Sequence, residues 1–276
     1  MNEPLKLDRL TIMPTLKCNL RCKLCCNYIP MFENVEHIPI EDLCRDVNRA
    51  FEFIEHIGSL QFVGGEVFMR DDMSEVYEYC LNYMDRFDRL VLVTNATYIP
   101  CEEDISVLRK YKNHIKIRIS DYGKYSTKVS ILASMFQENG IPFAIFNFLG
   151  DAGNGDGWID NTNFDDFNRS ESSLLQHFSN CYDGGTRWSF HMYKGIMHGC
   201  ARSLMASTLG RIKPALRDYV DIYDTSNTDM EIREKIRHIN DQPYIACRSC
   251  VGYMGKNEVN KPGEQVSVFK SPRRFS

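Results

Sequence analysis

The sequence has little of what marks a nucleic-acid partner, a membrane or an exported chain. Its 33 lysines and arginines do not outnumber its 37 aspartates and glutamates, and the net charge is −4. That leaves no basic footprint for nucleic acid or an anionic lipid surface, so neither partner is expected. No apolar run approaches the ~20 residues of a membrane-spanning helix. The opening MNEPLKLDRL has neither the basic nor the apolar region of a signal peptide, which predicts a cytoplasmic chain. Tryptophan is scarce, and no internal repeat or low-complexity segment is evident. The basic C-terminal SPRRFS is short, and residues 266–276 are expected to be a disordered tail.

Cysteine, by contrast, is abundant: 11 in 276 residues. Without an export signal disulfides are a poor explanation, and metal binding or redox chemistry is the better one.

Short apolar runs alternate with helical patterns through the first half. Runs at Leu10–Pro14, Ser59–Val63, Arg89–Thr94, Ile115–Ser120 and Pro142–Leu149 read as strands. Between them, Leu43, Val47, Ala50, Phe51, Ile54 and Ile57 share one helical face, closed by Gly58. Further helices are expected over Asp72–Arg86, Glu103–Tyr111 and Thr127–Asn139. This order predicts an α/β fold, a parallel sheet or barrel with helices outside, in which the loops after the strand C-termini carry the chemistry.

Residues 150–170 are rich in Gly, Asn and Asp and read as a long loop. They resemble a calcium loop only in part: Asn154, Asp156 and Gly157 fit, but Ala152 and Asn163 stand where the two strongest ligands belong. Beyond them, Arg187–His198 reads as a hairpin turning at Lys194-Gly195, with Trp188, Phe190 and Met192 alternating with Ser189, His191 and Tyr193. A helix is expected over Met230–Ile239.

Cys18, Cys22 and Cys25 are spaced C-x3-C-x2-C, so one loop can bring three thiolates around a small centre. Thiolates suit iron–sulfur clusters or zinc. Three of them leave one iron of a four-iron cluster without a protein ligand. Gly64-Gly65-Glu66 follows the second strand, where glycines permit close approach and Glu66 can accept a hydrogen bond.

At these two motifs, over about residues 8–150, the chain resembles the radical S-adenosylmethionine (SAM) superfamily. One departure is Leu24, at a position before the third cysteine that is usually aromatic. The resemblance implies a partial (β/α)6 TIM-like barrel and a 4Fe–4S cluster on Cys18, Cys22 and Cys25. The open iron of that cluster chelates SAM, and reductive cleavage gives a 5′-deoxyadenosyl radical. It further implies that Gly64, Gly65 and Glu66 receive the SAM ammonium, and that Thr94, Asn95, Ser120 and Asp121 contact its carboxylate and ribose. The other reading of those last four residues is helix capping after a strand.

Cys181, Cys200, Cys247 and Cys250, with Gly195 five residues before Cys200, resemble the twitch domain, the shorter relative of SPASM domains. That implies a small auxiliary 4Fe–4S domain over 171–265 behind a radical SAM core over 1–170. The layout is similar to that of 2-deoxy-scyllo-inosamine dehydrogenases. Four thiolates also suit structural zinc.

Two reactions fit such an enzyme. In one, an oxidoreductase of the dehydrogenase type abstracts hydrogen from a small molecule, a carbohydrate or cyclitol, and passes an electron to the auxiliary cluster. In the other, an epimerase quenches the substrate radical from a cysteine thiol, with Cys26, Cys44, Cys80 and Cys101 as candidates. A flavodoxin or ferredoxin is the electron donor implied. A non-enzymatic, zinc-stabilised binding module is the remaining alternative.

Overall fold

The computed structural model describes residues 3–148, 158–184, 189–252 and 262–266. The partial calcium-loop residues Ala152, Asn154, Asp156 and Gly157, the hairpin's Arg187 and Trp188, and the tail beyond Val266 lie outside them. Eight strands form one sheet in the order β5-β4-β3-β2-β1-β6-β7-β8. They are β1 Lys6–Ile12, β2 His56–Phe62, β3 Phe87–Thr94, β4 Ile115–Asp121, β5 Phe143–Asn147, β6 Ser189–Tyr193, β7 Ile196–His198 and β8 Val220–Asp221. Strands β1 to β6 pair in parallel, while β7 and β8 add antiparallel. Four helices alternate with β1–β5: α1 Ile40–Phe53, α2 Met73–Leu81, α3 Glu102–Lys110 and α4 Val129–Glu138. Three more follow: α5 Glu171–Ser179, α6 Ala201–Thr208 and α7 Asp229–His238.

The expected α/β architecture, a partial barrel sheet with a small C-terminal antiparallel part, is the observed one. The sixth parallel strand does not follow β5 at its edge but joins β1, with Leu10 opposite Phe190 and Ile12 opposite Met192. The sheet therefore runs unbroken through strands from both sides of residue 170.

Register explains how the two faces separate. Phe190, Leu10, Leu60, Leu90 and Ile115 form one row across the sheet, and Met192, Ile12, Phe62, Leu92 and Ile117 the next. All are buried, in one cluster with Leu43, Val47 and Phe51 of α1. Burying such rows is the main favourable term in folding. The residues between them face the other way and are largely polar: Ser189, Arg9, Ser59 and Arg89 in one row, His191, Thr11, Gln61, Val91 and Lys116 in the next. The second of these rows is buried from His191 to Val91, whereas the first opens to solvent at Arg89.

Several sequence expectations are corrected. Gly58 does not close α1. That helix stops at Phe53, Ile54 is its extended C-cap, and Gly58 sits inside β2. A Cβ there would come within 2.8 Å of the Asp8 carbonyl oxygen, so the glycine serves strand pairing. Helix α2 ends at Leu81, and residues 82–86 turn into β3 instead of continuing it. The hairpin turns at Lys194-Gly195 as expected, but β6 is an inner strand between β1 and β7, buried at all five residues, with α6 packed against it.

Candidate functional site

Three loops at the C-terminal ends of neighbouring strands meet around the cysteine triad. The loop after β1 carries Cys18, Cys22 and Cys25, the loop after β2 carries Gly64-Gly65-Glu66, and the loop after β3 carries Asn95. Backbone bonds fasten the first two loops together: Gly65 donates to the Thr15 carbonyl at 2.8 Å and Glu66 to the Lys17 carbonyl at 2.9 Å. This contact explains both glycines. A Cβ on Gly64 would meet the Thr15 oxygen at 2.5 Å, and one on Gly65 would overlap the Lys17 oxygen. The close approach is thus made by the cysteine loop's own backbone.

Glu66 is buried, and three protein donors orient it. Thr94 Oγ1 gives a bond of 2.7 Å to Oε1, Asn95 N one of 2.6 Å to Oε2, and Phe68 N one of 3.1 Å to Oε1. Burial outweighs these bonds and raises its carboxyl pKa to about 7. Thr94 and Asn95 therefore act on Glu66, and Asn95 Nδ2 also reaches Cys18 Sγ at 3.5 Å. Ser120 and Asp121 close the turn after β4: the Ser120 carbonyl accepts from Ser126 Oγ, and Asp121 Oδ1 accepts from Gly123 N at 2.8 Å.

The three thiols share electrostatic neighbours. Burial, first of all, raises Cys18 to about 12 and Cys22 to about 11, and repulsion among the three sulfurs adds to it. Cys25 is raised by burial too. A metal that binds such thiols displaces their protons to solvent. The donor set, three soft sulfurs in one loop, fits a cluster with one open position.

Sequence reasoning missed several neighbours of this loop. Asn27 ties it to the Gly64 carbonyl at 2.9 Å. Tyr122, half-buried and in electrostatic contact with Cys22, Cys25 and Cys26, stacks on Phe148 at 5.3 Å with Trp158 edge-on. None belongs to a cysteine or glycine pattern, so composition and spacing gave no signal.

The second centre comes from separate stretches. Cys181 follows α5, Cys200 is the N-cap of α6, and Cys247 and Cys250 lie in and just after the short 3-10 turn Ile245–Ser249. All four line one cavity with His177, Phe178, Arg202 and Tyr244. Its free space, about 10 Å³, holds about one water, so a cluster core is accommodated only by displacing lining side chains. Among the described residues no three His, Cys, Asp or Glu side chains gather closely enough for a single metal ion. One atom speaks for an anionic guest. Arg202, which lines this cavity, is buried, and its Nε has no hydrogen-bond partner. Four thiols and a buried guanidinium with one unpartnered N–H suit a negatively charged iron–sulfur centre.

The rest of Arg202 joins the two centres. Its other nitrogens donate to Tyr28 Oη at 2.6 Å, to the Asn161 carbonyl, to the Asn163 carbonyl at 2.7 Å, and to the Ser249 carbonyl and hydroxyl at 2.9 Å. Tyr28 lies three residues beyond Cys25 and feels the charges of Cys200 and Cys250.

The polar sheet face carries its own network. Arg9 pairs with Asp183 at 2.8 Å and with Ser189. Arg118 lies over the Phe146 ring, and its buried Nε has no partner. Both ring nitrogens of buried His191 are unpartnered, and burial lowers its pKa to about 4. His198, by contrast, bonds Ser203 and stacks on Tyr219.

Of the four candidate thiols, Cys44 and Cys80 are in mutual electrostatic contact on helices α1 and α2, and Cys101 caps α3. Cys26 stands beside the triad and is exposed; neighbouring protein and the charge of Cys25 raise its thiol pKa to about 12. Asp183 lies within its electrostatic reach.

Residues 12–127 match the radical SAM superfamily. The matched stretch spans the triad, the Gly64-Gly65-Glu66 turn and the loops after β3 and β4. No curated protein matched the chain. Among solved structures, BtrN in complex with AdoMet and 2-DOIA aligns with a TM-score of 0.55 at 13% identity, over 96% of this chain and 100% of that one. BtrN in an open conformation aligns with a TM-score of 0.50 at 12% identity, over 94% and 97%. At such identities the likeness is one of fold. anSMEcpe with bound AdoMet and Cp18Cys peptide is 23% identical over 52% of this chain, with a TM-score of 0.40. The chain spans only 42% of that protein's length. Among the described residues no helix is long and apolar enough to cross a membrane.

Proposed function

We propose that the chain is a radical SAM oxidoreductase of the dehydrogenase type. It acts on a hydroxylated small molecule, a carbohydrate or cyclitol, and uses an auxiliary 4Fe–4S cluster as electron acceptor. The observation that carries this is the gathering of Cys181, Cys200, Cys247 and Cys250 around one cavity walled by Arg202. When bound, the two clusters and SAM supply a 5′-deoxyadenosyl radical at one end and an electron acceptor at the other.

The chain's own residues divide the remaining work. Cys18, Cys22 and Cys25 hold the first cluster. Glu66, oriented by Thr94 and Asn95, takes the SAM ammonium. Cys181, Cys200, Cys247 and Cys250 hold the second cluster, and complete thiolate ligation leaves it no site for substrate. Arg9, Gln61, Arg118, Asp183 and His191 supply donors and acceptors for hydroxyl groups. The full-length fold likeness to BtrN, described in complex with AdoMet and 2-DOIA, supports a cyclitol-sized substrate. A flavodoxin or ferredoxin supplies the electron.

One observation favours a second reading, an epimerase. Cys26 is solvent-open beside the triad and could return hydrogen to a substrate radical. Anaerobic turnover in D2O separates the two. The dehydrogenase forms a two-electron-oxidised product together with 5′-deoxyadenosine, whereas deuterium on a substrate carbon of unchanged oxidation state rejects it for the epimerase.

A further inference from the structure

Residues 262–266 lie across the cysteine loop as a strap. Lys23 N donates to the Glu264 carbonyl at 2.7 Å, Val266 N donates to the Arg21 carbonyl at 2.9 Å, and Cys22 and Gln265 form an antiparallel bridge. Lys23 and Glu264 add an ion pair at 3.8 Å. Gly263, at φ +71°, lies against the ring of Tyr122.

At the centre of the strap the Gln265 amide is fully used. Its Oε1 accepts from Arg21 N at 2.5 Å. Its Nε2 has two hydrogens: one goes to the Gly263 carbonyl at 2.7 Å, the other to Cys22 Sγ at 3.2 Å. The orientation is decided by the partners. A flipped amide would set its oxygen against a carbonyl and a sulfur, and its NH2 against an N–H. The donor therefore faces a residue of the triad, 243 positions away in sequence.

We propose that Gln265 is a positioning residue for the SAM-binding cluster, and that its amide donates to the Cys22 thiolate and raises the cluster's reduction potential. The inference rests on the assignment of that cluster to Cys18, Cys22 and Cys25. The physical reason is charge. Reduction adds an electron to the iron–sulfur core and makes its thiolates more electron-rich. A hydrogen bond to the sulfur then stabilises the reduced state more than the oxidised one, and so does exclusion of solvent from one side of the loop. No bond forms or breaks in this role, and the electron comes from the same external donor as in turnover.

Two variants separate tuning from simple anchoring. Gln265→Glu keeps the acceptor for Arg21 N but replaces the donor with a negative oxygen. Gln265→Leu removes both. The measurement is an EPR-monitored redox titration of the full-length reconstituted protein, following the signal that changes on adding SAM. Both variants are expected to shift that signal to lower potential, Glu further than Leu, while the SAM-insensitive signal stays in place. An unchanged potential in both variants overturns the proposal, as does iron loss with an unchanged potential in the loaded fraction. Cys22→Ala is the control: if the SAM-responsive signal survives it, the cluster assignment fails instead.

Discussion

The two cysteine centres are built in opposite ways. The triad is local, with three thiols inside one loop after β1, braced by neighbouring loops and by the strap. The second centre is assembled, its four thiols drawn from stretches between residues 181 and 250 and closed around one cavity. Three thiols leave a metal position for a ligand, whereas four do not. The first arrangement suits binding and cleaving a cosubstrate; the second suits holding charge. Between them stands Arg202, which bonds Tyr28 on one side and Ser249 on the other.

The sharpest way to break this comparison is to remove each centre in turn. Replacing Cys18, Cys22 and Cys25 with alanine is expected to reduce 5′-deoxyadenosine formation to background in an anaerobic assay with SAM and reductant. Replacing Cys181, Cys200, Cys247 and Cys250 is expected to remove about half the iron and to leave some uncoupled SAM cleavage. Two clusters predict that either variant keeps about half the iron; full iron in one variant and none in the other would count against them.

The next largest effect concerns the link. Arg202→Met strands the carbonyls of Asn161, Asn163 and Ser249 and the Tyr28 hydroxyl. It is expected to cost about 3 kcal/mol in urea unfolding. Gly65→Ala forces a Cβ into the Lys17 carbonyl and is expected to cost about 2 kcal/mol. Because the clash moves the cysteine loop, it should lower iron loading at the triad while sparing the second centre.

A pH dependence is expected away from both centres. Burial depresses His191 to about 4 from an ordinary 6.5. Between these values the unfolded chain binds the proton and the folded one does not. The stability tied to the neutral ring is therefore present above about pH 6.5 and is lost as pH falls toward 4. His191→Gln should flatten that part of the stability–pH curve measured by urea unfolding, and an unchanged slope would count against it.

Much of this was legible in the sequence where the signal was local. Period-2 and period-3.6 apolar patterns located β1–β5 and α1–α4, and two short motifs located the triad and Glu66. What escaped was long-range. The pairing of β6 with β1 has no local signature, since Phe190 and Met192 look the same in any hairpin. Ile54 and Ile57 continued the helical period by coincidence, so α1 was read past its end. Gln265 and Arg202 are ordinary polar residues until the fold sets one beside Cys22 and the other in the wall of the four-cysteine cavity.

The central claim is that two iron–sulfur centres with different ligation share this chain. EPR spectra of the reduced, reconstituted protein, recorded with and without SAM, test it most directly. The account predicts two signals. The one that changes on adding SAM vanishes only with Cys18, Cys22 and Cys25, and the one indifferent to SAM vanishes only with Cys181, Cys200, Cys247 and Cys250. A single SAM-responsive signal, unaltered by loss of the four C-terminal cysteines, would contradict it.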